Sequence, residues 1–117
     1  MKQAEIYLEN KKILTVKVAD NFWLRFKGLM WKKAEDIQNM GGLWIIPCSQ
    51  IHTFSMKASI DVLYLDKNGI IVKAQKNAVP RKCFPNVKKG KSVIELPVGT
   101  IDKLGLKVDM VLEVRKQ

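Results

Sequence analysis

The residues of this sequence that could do chemistry are few, and several lie close together. His52 is the only histidine, so any acid–base switch near neutral pH would rest on it. Cys48 precedes it by four positions, while Phe54 and Met56 follow at two and four. In an extended segment these four side chains share one face. A Cys–His pair so placed is the arrangement that activates a thiolate nucleophile. No third group stands where it would orient the imidazole, however, and Pro47 interrupts the segment. A core histidine hydrogen-bonded beneath Phe54 and Met56 accounts for the same residues. Tetrahedral zinc needs about four nitrogen or sulfur ligands; Cys48, His52 and Cys83 are three, without paired spacing, so the sequence assigns no metal and no cofactor.

Two carboxylates make sharper demands. Asp61 alternates with Leu63 and Leu65, and Ile60, Val62 and Tyr64 line the other face of the same run. A strand apolar on both faces is buried on both, so this carboxylate needs a cation or backbone N–H donors. One solution ties the Met56-to-Ser59 turn to the strand through Asp61. The other gathers Arg25, His52 and Asp61 in one polar pocket. Glu95, between Val93, Ile94 and Leu96, poses the same question. The expected binding groove therefore comprises Arg25, His52, Thr53, Phe54, Met56, Asp61 and Glu95, with Cys48, His52 and Asp61 as the candidates if the protein is instead a small thiol or hydrolase-like enzyme.

Period-two alternation dominates the elements that must hold these groups. Ile6 and Leu8, then Leu14, Val16 and Val18, predict an N-terminal hairpin; Asp20 is expected to cap a short helix carrying Phe22, Trp23 and Phe26, with Gly28 ending it; Leu29 to Asn39 reads as turn or loose helix. Short strands are expected at 43–46 and 51–54, followed by a hairpin of 60–65 and 70–76 about Asp66-Lys67-Asn68-Gly69. Val79 to Gly90 is a charged, proline-containing loop, 93–96 a strand, 100–104 a one-turn helix, and 110–115 a last strand. About seven strands and two short helices predict a mainly β fold, α+β at the margin, with residues 1–117 forming one barrel-like or rolled sheet. Trp23, Trp31 and Trp44 read as core or rim residues.

The chain has 117 residues and a net charge of +10, from 18 Lys and 3 Arg against 11 acids. Its longest uninterrupted apolar run, Leu43 to Ile46, is far short of the ~20 residues that span a bilayer. With two cysteines and no apolar leader, a soluble cytoplasmic protein is expected, an exported one being the runner-up. Lys67 to Lys91 holds eight cations and no acid. Lysine is a solvated point charge, and only Phe84 offers a ring there, so this stretch predicts at most weak, sequence-indifferent nucleic-acid binding.

Four blocks carry a resemblance: Arg25-Phe26-Lys27-Gly28-Leu29-Met30, Ile51-His52-Thr53-Phe54-Ser55-Met56, Ile60-Asp61-Val62-Leu63-Tyr64-Leu65-Asp66 and Ile94-Glu95-Leu96-Pro97-Val98-Gly99. In this order and spacing the sequence resembles the domain-of-unknown-function family 192, small uncharacterised prokaryotic proteins, many of them apparently exported. The resemblance implies a compact, mainly β unit and supplies no activity, substrate or cofactor. This chain departs from the family pattern at Ser59, where Pro is usual, and at Val108 before Asp109, where Gly is usual. The leading expectation is a small binding module for an unidentified small molecule or protein.

Overall fold

A computed structural model describes residues 1–117. The elements are β1 (Gln3–Leu8), β2 (Lys11–Ala19), α1 (Phe22–Lys27), α2 (Ala34–Met40), β3 (Leu43–Ile45), β4 (Ile60–Leu65), β5 (Ile71–Ala78), β6 (Ser92–Pro97), α3 (Thr100–Leu104) and β7 (Glu113–Lys116). The seven strands form one mainly antiparallel sheet in the order β5-β4-β6-β3-β2-β1-β7. The exception is β2 against β3, which run parallel because α1 and α2 make the crossover between them.

The sheet rolls without closing. Its edges, β5 and β7, are joined by the segment that precedes β7: Leu112 N–H donates to Gly69 C=O at 2.8 Å, and Ile71 N–H to Met110 C=O at 2.8 Å. Gly69 is required for this approach, since a Cβ there would lie 2.2 Å from the Leu112 carbonyl oxygen, and its φ is +81°. The turn at Val108-Asp109 puts the positive φ, 78°, on Asp109, whose N–H then donates to Ile71 C=O. The valine is thus spared the left-handed conformation, which a β-branched residue resists.

Both sheet faces are dry. One buries Ile6, Val16, Trp44, Leu63, Ile94 and Leu96 inside the roll, sealed by Ile101, Leu106 and Leu112. The other buries Leu43, Ile45, Ile60, Val62, Tyr64 and Val93 beneath Leu29, Ile37, Ile51 and Met56. The continuous burial of β4 and of most of β6 follows from this double cover.

Two elements differ from expectation. Residues 34–40 form a third helix: Asp36 accepts from Lys33 N–H at 3.3 Å, Glu35 and Asp36 favour the positive N-terminal end, and Gly41 closes the helix in the left-handed region. Residues 51–54 are not a strand of the sheet. They pair locally with the basic loop through a single bridge, His52 to Cys83, flanked by Thr53 N–H to Lys82 C=O (2.7 Å) and Phe84 N–H to Ile51 C=O (3.2 Å). No helix is long and apolar enough to cross a membrane.

Candidate functional site

The site begins with the alternation of β6. Glu95 pairs opposite Val62 and Leu43, which puts its side chain on the outer face with Val62 and Tyr64. That face is covered by α1, by the turn after it, and by the segment from Cys48 to Met56. Asn21, rather than the expected Asp20, caps α1 by accepting from Leu24 N–H at 2.9 Å, and Gly28 ends it as expected. Gly28 carries the chain directly over Glu95: a Cβ there would sit 3.4 Å from Glu95 Oε1, at φ +50°. Between these layers lies a pocket of about 60 Å³, whose lining includes Arg25, Phe26, Gly28, Cys48, His52 and Glu95.

Polar groups in and under this pocket are missing partners. Glu95 is 5% exposed, and its Oε1 accepts no hydrogen bond. Burial pushes its carboxyl up to about 7. Arg25 Nη1 donates to Pro47 C=O at 3.3 Å, but its buried Nε–H has no acceptor. The Tyr64 hydroxyl, buried close by, is likewise unpartnered; desolvation, with smaller contributions from Cys48 and Glu95, raises it to about 12. Three such groups in one place find no partner within the chain, whereas buried polar atoms are nearly always paired, with protein or with ordered water. A donor in Arg25 and an acceptor in Glu95 suit a small group that can both accept and donate, such as a hydroxyl or an amide. A larger open groove of about 700 Å³ lies between the β1–β2 turn and the segment from Leu104 to Glu113, yet none of the unpartnered buried atoms line it.

The structure brings together only part of the expected set. Arg25, His52, Met56 and Glu95 line the pocket with Cys48. Asp61 does not: it pairs opposite Leu96 and so faces the interior of the roll, on the other side of the sheet from Glu95. There Oδ1 accepts from Asn77 N–H at 3.0 Å, and Oδ2 from Gly99 and Ile101 N–H at 3.0 and 2.9 Å. It therefore ties β4 to β5 and to the start of α3, rather than to the turn before it. Thr53 is fully buried and staples the basic loop, donating to Val79 C=O at 2.6 Å and accepting from Lys82 N–H at 2.8 Å. His52 is exposed rather than in the core, and its ring stacks on Phe54 at 5.4 Å between centroids. Phe54 is itself 50% exposed, and Met56 turns inward.

Thiolate chemistry is poorly served here. Burial, with a smaller push from the Glu95 charge, raises the Cys48 thiol above its ordinary value, and its Sγ donates to Gln50 C=O at 3.2 Å. Cys48 and Cys83 are both free. Within the basic stretch, Lys76 pairs with Asp102 at 2.6 Å and Phe84 packs against the outer core. No cluster of His, Cys, Asp and Glu is placed to hold a metal ion.

Sequence reasoning missed Tyr64, Gly28 and the pocket-lining Phe26. The alternation of 60–65 did place Tyr64 on the outer face, but its neighbour there, Glu95, comes from pairing across β4 and β6, which no local pattern encodes.

Comparison with known proteins agrees on kinship and is silent on activity. The model of the domain-of-unknown-function family 192, described as "Uncharacterized ACR", matches residues 5–114. A UPF0127 protein of Thermococcus sibiricus is 37% identical over 98 residues, 80% of this chain and 61% of that protein. One of Thermococcus kodakarensis is 35% identical over 94 residues, covering 76% and 57%. This chain thus spans about three-fifths of the length of those two relatives, whereas a Pyrococcus furiosus UPF0127 protein, 29% identical, is covered over 86% of both. Among solved structures, a Sinorhizobium meliloti protein proposed to be a transcription regulator superposes with a TM-score of 0.80 at 21% identity, over 97% of this chain and 92% of that one. A Novosphingobium aromaticivorans protein of unknown function gives 0.78 at 17%, over 95% and 83%. At such identities these likenesses establish the fold alone.

Proposed function

The chain belongs to the domain-of-unknown-function family 192, and from that premise we propose that it is a small binding module whose site is the pocket roofed by α1 and the Cys48-to-Met56 segment. The observation that carries this reading is the pair of unpartnered, buried groups at the pocket, Arg25 Nε–H and Glu95 Oε1. An unpaired buried polar group costs roughly 1–3 kcal/mol, and a fold retains such a cost most readily where a ligand removes it. The guest inserts a small neutral tip, a hydroxyl or an amide, with the rings of Phe26 and His52 at hand for its apolar part. Binding rather than thiol chemistry is favoured because the environment of Cys48 stabilises the protonated sulfur. The protein works in the cytoplasm, a placement that cell fractionation tests.

The experiment is a ¹H–¹⁵N NMR titration with a panel of neutral fragments, glycerol, erythritol, glucose and acetamide among them. Shifts should concentrate at Gly28, Cys48 and His52 and vanish in Arg25→Ala. Shifts confined to the groove between Leu104 and Glu113, or none with any fragment, would refute the assignment.

A further inference from the structure

The exposed aromatic side chains of this protein are not scattered. Phe22, Trp23 and Phe26 on α1 are 76, 63 and 56% exposed, Trp31 is 56% and Phe54 50%, and no α1 residue is buried. They form one neighbourhood. Phe26 lies 6.4 Å from Phe22 and 6.3 Å from Trp23 between ring centroids, and Phe26 and His52 line one pocket. His52 stacks on Phe54, and Trp31 N–H donates to the carbonyl of Ser55, the residue after Phe54, at 3.0 Å. Isolated exposed rings are ordinary; five on neighbouring, mutually contacting segments mark an interaction surface.

Charge indicates what meets it. Lys27, Lys32, Lys33, Lys57, Arg81 and Lys82 belong to the same segments or to the loop hydrogen-bonded to them, and none is in an ion pair. Neither Phe22 to Lys33 nor Ile51 to Ser59 contains an acid. Protruding rings bordered by unpaired lysines suit the boundary of an anionic bilayer, where rings settle at headgroup level and ammonium groups meet lipid phosphates. A single-stranded nucleic acid would need a groove to follow, and the pocket on this face holds only about 60 Å³. We propose that this face docks the protein peripherally onto an anionic membrane surface.

The test is co-sedimentation with pure phosphatidylcholine vesicles and with mixed phosphatidylcholine–phosphatidylglycerol vesicles, alongside tryptophan fluorescence. The parent should bind the mixed vesicles at least about tenfold more tightly than the neutral ones, since each cation near an anionic surface contributes roughly fivefold. Its emission should shift to the blue on binding and be quenched by brominated lipid. The double variant Phe22→Ser, Trp23→Ser alters only exposed side chains; it should keep the parent's melting curve and lose at least about tenfold in vesicle binding. Lys32→Gln, Lys33→Gln should weaken binding to mixed vesicles only. Equal binding by parent and ring variant overturns the proposal, as does the absence of vesicle binding by the parent. So does tryptophan quenching by oligothymidylate, or a concentration-dependent dimer lost in the ring variant, if vesicles give no response. Glu95→Gln should leave vesicle binding unchanged, which separates this surface from the pocket beneath it.

Discussion

Replacing Glu95 by Gln should make the protein more stable at alkaline pH and change it little at acid pH. In the folded state burial raises this carboxyl from an ordinary value of 4.5 to about 7. Between those values the folded protein holds a proton that the unfolded chain has released. The favourable contribution is therefore fully present below pH 4.5 and is lost as pH rises through 7. At about 1.4 kcal/mol per pH unit, the shift amounts to about 3 kcal/mol between acid and alkaline conditions. Glutamine is neutral throughout and nearly the same shape, so that pH dependence disappears while the packing under Gly28 is kept. Urea melts of parent and variant at pH 5, 6, 7 and 8.5 measure it. Apart from any constant offset, the difference between the two should be about 1 kcal/mol at pH 5 and should grow to about 3 kcal/mol in favour of the variant at pH 8.5. For a chain of this size that corresponds to roughly 10 °C in Tm. Parallel stability profiles at every pH would refute the reasoning, because they would mean that water or a counter-charge reaches the carboxylate in the folded state.

Asp61→Asn should cost about 2–3 kcal/mol and Asp61→Ala roughly 4, because the amide can replace only one of two accepting oxygens and turns an NH₂ toward a backbone donor. A loss below about 1 kcal/mol in denaturant melts would show that the three N–H groups find water instead. Thiol titration of unreduced, denatured protein should count two free groups; in the native protein Cys83 should react at least about tenfold faster than Cys48, whose thiolate is disfavoured by burial. Equal rates would remove the case for a dry pocket around Cys48.

Periodicities are legible in the order of residues alone. The apolar run 60–65 marks a strand covered on both faces, 93–96 marks a further strand, Asp66 to Gly69 marks a tight loop, and Gly28 marks the end of a helix; each is a local preference of backbone or side chain. The sequence also identified Asp61 and Glu95 as carboxylates in apolar runs, hence as groups that must be paired, neutral or functional. What it left open was their fate. Pairing of β4 with β6 in one register sends Asp61 into the roll, where the starts of α3 and the end of β5 supply three N–H donors, and sends Glu95 to the opposite face, where none is supplied. A slip of one residue would exchange their faces, since side chains alternate with period two. Likewise the rings of Phe22, Trp23 and Phe26 follow an amphipathic spacing that fits a core or a surface equally well. Only the outer layer of Leu29, Ile37, Ile51 and Met56 decides it, by filling the space above the sheet and leaving those rings outside. The site is an event of tertiary packing: an acceptor from β6, a donor from α1 and a hydroxyl from β4 meet because the sheet rolls and the crossover folds over it, and long-range contacts of that kind have no signature in local sequence.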